Sequence, residues 1–167
     1  MQIALHNWLE DSANDGCTLR IFLTSWGGTV IQALSFYGLL CEAARQGHHV
    51  IIQVIGEAYS CALWFATAAL GCGTVLIDPY SMLMFHPPST DLDCDLDDAP
   101  AKLSVELGMY EQTRALLSRA PGFTPALMDE WEKGPDRYFT ADEVVDYGLG
   151  ELFTNSPTPS APSKVAA

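Results

Sequence analysis

The run Val50-Ile51-Ile52-Gln53-Val54-Ile55 constrains this chain more than any other segment. Five of its six residues are aliphatic, so a strand here needs cover on both faces rather than on one. Such strands belong to parallel sheets, whose crossover helices supply the cover. The flanking segments fit that demand. Residues 18–24 (TLRIFLT) read as a strand, and residues 29–46 read as a helix closed by Gly47. Gly56 ends the apolar run, and a small-residue helix opens at Ser60 and reaches about residue 70. Two short strands, 74–77 and 81–85, flank Asp78-Pro79-Tyr80. A long helix follows over 99–119, with Leu103, Leu107 and Tyr110 at helical spacing, and Pro121-Gly122 stops it. Thr124-Pro125 starts another helix. Thr140 and Glu143 fit a capping box for a last one, which ends at Gly148. Before all of these, residues 1–12 read as a short amphipathic helix with Leu5, Trp8 and Leu9 on one face. The alternation predicts an α/β fold with a largely parallel sheet.

At 167 residues the chain has room for one domain, expected over residues 1–153, followed by a Pro/Ser/Ala-rich flexible tail at 154–167. Residues 58–77 carry no charge over a bilayer-spanning length. Their Ala, Gly, Ser, Thr and Cys content, the break at Gly71-Cys72-Gly73 and the lack of Lys/Arg flanks favour a buried helix and strand instead. Hydrophobic residues make up 49% of the chain, which excludes global disorder. The formal charge of −13 leaves no basic footprint for nucleic acid. Five cysteines without a C-x-x-C pair suggest neither a zinc site nor a disulfide framework, and point to reduced thiols in a cytoplasm. No metal or other cofactor is expected.

In open α/β sheets, reactive groups gather where strands end and helices begin. Three such junctions stand out: Ser25-Trp26-Gly27-Gly28, the turn before Ser60, and Phe85-His86. Taken singly, Ser60 reads as a helix N-cap, His86 as a packed structural histidine, and Asp136 as a solvated charge or a partner of Arg137. The functional reading of Ser60 uses the same turn. A hydroxyl at a helix N-terminus can attack a carbonyl while nearby free N–H groups receive the oxyanion. The pattern G-x-A-x-S differs from the G-x-S-x-G of the α/β-hydrolase elbow.

Four stretches together resemble the ClpP family of serine peptidases. Residues 21–28 (IFLTSWGG) are similar to its strand ending in S-P-G-G, and 56–62 (GEAYSCA) to its nucleophile turn G-x-A-x-S-x-[AG]. Residues 82–88 (MLMFHPP) are similar to M-I-H-Q-P, and 136–148 (DRYFTADEVVDYG) to D-R-[FY]-x-[ST]-x-x-E-A-x-x-Y-G. The resemblance implies a ClpP/crotonase-like fold of repeated β-β-α units with a protruding handle helix at 99–119. It implies a serine endopeptidase in which Ser60 is the nucleophile, His86 the base and Asp136 the group orienting the imidazole. The backbone N–H groups of Gly28 and Cys61 would form the oxyanion hole, leaving the Cys61 side chain incidental. Gly27, Thr29, Val30 and Ser89 would pair with substrate as an added strand. It further implies a homo-oligomer of two stacked seven-membered rings enclosing a chamber, fed by an AAA+ unfoldase. Trp26 and Pro87 stand where the family usually has proline and glutamine. The segment before the first strand is about seventeen residues, shorter than the family's leader, so the axial contact with an unfoldase is expected to be missing or reshaped.

The aspartates at 91, 93, 95, 97 and 98 read as a solvated acidic loop, with a weak divalent-ion site or a pH-sensitive contact between rings as the alternatives. An EF-hand loop beginning at Asp91 would need Gly at 96 and Glu at 102, where Leu96 and Lys102 stand. Two other readings compete with the peptidase: a catalytically silent ring subunit, and an acyl-CoA enzyme on the related crotonase fold.

Overall fold

The computed structural model describes residues 2–87, 95 and 97–154. Ser89 and most of the acidic loop, residues 91–94 and 96, lie outside them, as does the tail from 155 onward. In chain order the elements are α1 (Gln2–Leu9), β1 (Thr18–Ser25), α2 (Val30–Arg45), β2 (His49–Tyr59), α3 (Cys61–Ala69), β3 (Gly73–Ile77) and β4 (Met82–Phe85). Then come α4 (Ala99–Leu117), α5 (Pro125–Trp131), β5 (Arg137–Thr140), α6 (Ala141–Asp146) and β6 (Glu151–Leu152). This is the mixed α/β architecture that the alternating pattern demands.

One sheet carries all six strands in the order β5-β4-β2-β3-β6, with β1 paired to β2 off that path. Every pairing is parallel except β4 with β5. The long β2 organises the sheet. Its first half lies between β1 and β3, and its last residues, Glu57 to Tyr59, pair with Met82 to Met84 of β4.

Two details of β2 depart from expectation. Gly56 does not end the strand. It sits at φ +80, and the β1 register jumps there, with Leu23 opposite Val54 but Ser25 opposite Ala58. Glycine takes this left-handed conformation without steric cost, so the strand kinks and continues to Tyr59. Nor are both faces wholly covered. Val50, Ile52 and Val54 are buried, but Ile55 is 40% exposed. On that outer side the buried Gln53 carboxamide oxygen accepts from Arg20 at 3.1 and 2.5 Å.

The apolar segment at 58–77 resolves into core. All nine residues of α3 are buried, as expected of a helix that is apolar all round. Among the described residues no helix is long and apolar enough to cross a membrane. Trp64 of α3 packs near Tyr110 of α4, their ring centroids 6.3 Å apart. A second cluster supports the β4–β5 edge. Phe85, Phe123, Trp131 and Phe139 pack with centroids 5.1–5.8 Å apart. Only the C-terminal half of α4 is embedded, through Tyr110, Thr113, Leu116 and Leu117. Leu103, Val105 and Leu107 are 42%, 60% and 56% exposed, so the first half stands clear of the core.

Candidate active site

Ser60 occupies the single residue between β2 and α3. Its φ of 56° and ψ of −124° make it the one non-glycine with positive φ among the described residues. Such a conformation costs on the order of 1–3 kcal/mol and persists only where the surroundings enforce it. Two backbone hydrogen bonds do so. Its N–H donates to the Met84 carbonyl at 2.8 Å, and its carbonyl accepts from the Leu63 N–H at 3.0 Å. The side chain makes no helix cap. That replaces the single-residue N-cap reading: at this φ, ψ the hydroxyl turns away from the helix and meets His86, its Oγ 2.8 Å from Nε2.

His86 follows β4 directly. Its Nδ1 lies 2.6 Å from the Pro87 carbonyl oxygen. A carbonyl only accepts, so Nδ1 donates, and in the neutral ring Nε2 is then the acceptor for the Ser60 hydroxyl. This is the tautomer a general base needs.

Asp136 is exposed, and among the described residues it makes no hydrogen bond or ion pair with His86. Arg137 pairs with Glu143 at 3.0 Å rather than with Asp136. The strand register still brings Asp136 close by. The antiparallel ladder pairs Phe85 with Arg137, and one more rung would set His86 opposite Asp136.

The glycines after β1 close the other side. An added Cβ at Gly27, whose φ is +105, would lie 2.8 Å from Ser60 Cβ and 2.9 Å from the Tyr59 carbonyl oxygen. No larger residue leaves the serine where it is. Gly28 adjoins the same turn, and its carbonyl accepts from the Cys61 thiol at 3.1 Å. The Cys61 side chain is therefore not incidental: it ties the start of α3 to the glycine turn. Burial pushes that thiol's pKa up. Thr29 is extended and caps α2, accepting from Gln32 N–H, and Val30 is already the first helical residue. Behind the glycines, between β1, α2 and α3, is a cavity of about 270 Å³ lined by Leu23, Ala33, Phe36, Cys61 and Phe65 among others.

Glu57 is a site neighbour that sequence reasoning missed. Its carboxylate accepts from the Trp26 indole N–H, and from the Tyr59 hydroxyl at 3.2 Å. Burial and then the Glu57 charge raise the Tyr59 pKa. Only the unusual Trp26 in the glycine turn signalled anything here. The Pro87 carbonyl was equally hidden, since a backbone acceptor leaves no mark on sequence.

Ser60, at positive φ, and His86 thus meet at the ends of β2 and β4 on a mixed α/β sheet. The Clp protease family matches the chain over residues 5–153, and the chain belongs to that family. It is similar to the ATP-dependent Clp protease proteolytic subunit 4 of Rhodococcus jostii (strain RHA1), at 27% identity over 134 residues. That alignment covers 80% of this chain and 66% of the relative. It is also similar to the ATP-dependent Clp protease proteolytic subunit 1 of Leifsonia xyli subsp. xyli (strain CTCB07), at 25% identity over 140 residues, 84% of this chain and 67% of the relative. The aligned part thus spans about two thirds of each relative's length.

Proposed function

We propose that the chain is a serine endopeptidase that cleaves peptides or unfolded proteins. The 2.8 Å contact between Ser60 Oγ and His86 Nε2 carries this reading. His86 Nε2 takes the hydroxyl proton as Oγ attacks the scissile carbonyl carbon. The N–H groups of Gly28 and Cys61 receive the oxyanion. The imidazolium then protonates the leaving amine, and an acyl-enzyme remains. Water, losing a proton to Nε2, releases the acid and restores the serine. Asp136 is the group that stabilises the imidazolium, the β4–β5 ladder extending by one rung in its present register so that the carboxylate takes Nδ1 from the Pro87 carbonyl. Substrate lies beside Gly27, Thr29, Val30 and Ser89. No step calls for a cofactor.

The working form is a homo-oligomer, two stacked seven-membered rings joined through α4. The exposed Leu103 and Leu107, one turn apart on the half of α4 that stands clear of the core, support this as an apolar face that a neighbouring subunit could cover. An AAA+ unfoldase is the proposed feeder, and the free thiols of Cys17, Cys41, Cys61 and Cys72 suit a reducing cytoplasm.

One observation favours a second reading, a catalytically silent ring subunit: Asp136 is exposed and the Pro87 carbonyl occupies its place on His86. Labelling with a fluorophosphonate serine-hydrolase probe separates the two. The assembled protein is expected to label and its Ser60→Ala variant is not. Failure of the assembled wild type to label would leave the silent subunit standing.

A further inference from the structure

The exposed face of the β2–β4–β5 region carries a group that the proteolytic chemistry does not use. Register fixes which side chains share that face. Glu57 pairs with Met82 and that with Thr140, while Tyr59 pairs with Met84 and that with Tyr138. The alternate set, Ala58, Leu83 and Phe139, is fully buried on the core side. By the same alternation His86, two residues beyond Met84, belongs to the Glu57 side. His86 and Glu57 therefore share one face, and Ser60, following Tyr59 at its positive φ, joins it through the hydrogen bond to His86.

Glu57 is half-buried there and surrounded by rings. Trp26, 80% exposed, and Tyr59 both donate to its carboxylate. Tyr138, 48% exposed, stacks edge-on against Tyr59 with centroids 5.8 Å apart. A carboxylate has about four acceptor sites, and these two donors leave room for more. Among the described residues no Lys, Arg or His forms an ion pair with Glu57. A carboxyl acceptor with no such ion-pair partner, flanked by exposed electron-rich rings, suits a cation on two counts, charge pairing and cation–π attraction.

We propose that Glu57, with Trp26, Tyr59 and Tyr138 around it, forms a subsite for a lysine or arginine side chain of the peptide substrate. This rests on the peptidase reading and adds its substrate preference. Glu57 and Ser60 are three residues apart on or beside β2, a span of roughly 10 Å at the usual strand rise. The same rise in an extended substrate places the cationic residue roughly two to four positions from the scissile bond.

The test uses fluorogenic peptides identical but for lysine, norleucine or glutamate at one of those positions, hydrolysed by the assembled full chain. Lysine is expected to exceed norleucine about tenfold in kcat/KM, carried by KM, the size of a half-exposed ion pair plus a cation–π contact. Glutamate should fall below both, and Glu57→Gln should bring the lysine-to-norleucine ratio to about one. Equal rates for lysine and norleucine, or a ratio untouched by Glu57→Gln, would overturn the subsite. Binding of the same peptides to the Ser60→Ala protein, read by Trp26 fluorescence against a Trp26→Phe blank, separates this from the chemistry. A lysine preference in binding without any hydrolysis would sink the peptidase reading and leave the subsite. Norleucine binding as tightly as lysine would mark the rings as an apolar surface and sink the subsite.

Discussion

Ser60 keeps its strained backbone because Gly27 has no side chain to contest the space. Gly27→Ala puts a methyl 2.8 Å from Ser60 Cβ at a φ that alanine resists. The serine must shift by a fraction of an ångström or more, and displacements near 1 Å cost about 100-fold in reactivity. Probe labelling of Gly27→Ala should drop by about that factor while the far-ultraviolet circular dichroism stays that of the wild type. Retained labelling would mean the glycine turn can move without the nucleophile. Ser60 and His86 were legible in the sequence because each sits in a word of several residues at a strand end. Glu57 was not, since a lone acid in a strand has no pattern, and its meaning comes only from Trp26 reaching over from the next strand.

The helices were read from sequence more accurately than the strands. The capping box at α6 is present in full, with Thr140 accepting from Glu143 N–H and the Glu143 carboxylate accepting from Thr140 N–H at 2.8 Å. β5 and β6 were missed, being four and two residues long. Strands that short take their identity from a neighbour's edge rather than from their own periodicity. The cap also has a pH signature. The Thr140 N–H, with help from Arg137, holds the Glu143 carboxyl below its ordinary value of 4.5. A depressed folded-state pKa adds stability above the ordinary value, and that stability fades as pH falls through the lowered one. Glu143→Gln should therefore melt below wild type at pH 7, with the gap narrowing once pH drops beneath about 4.5. A gap that stays constant down to pH 3 would show that charge is not what the cap uses. Both side chains of the Arg137–Glu143 pair are near 40% exposed, so the effect is a small one.

At the level of the whole molecule, α4 is half core and half exposed. Its embedded half belongs to the core and its outer half, with Leu103, Val105 and Leu107, is free to meet another subunit. Leu107→Glu should leave the melting of the isolated subunit within about 0.5 kcal/mol, as surface changes do. Its sedimenting mass should fall toward the 18.2 kDa of one chain. An unchanged oligomer would assign assembly to another face. The sequence showed α4 as a long helix but not which half stands free, because its apolar spacing continues through both. The hydrogen bond from Ser60 N–H to the Met84 carbonyl has a consequence for such an assembly. Met84 lies two residues before His86, so Ser60 and His86 are tied to the same strand, β4. Under the peptidase reading, a neighbour displacing β4 would carry the two together. The proposed third member, Asp136, precedes β5 and is not part of that tie. Assembly would then act as a shutter on the imidazolium's counter-charge rather than on the nucleophile itself.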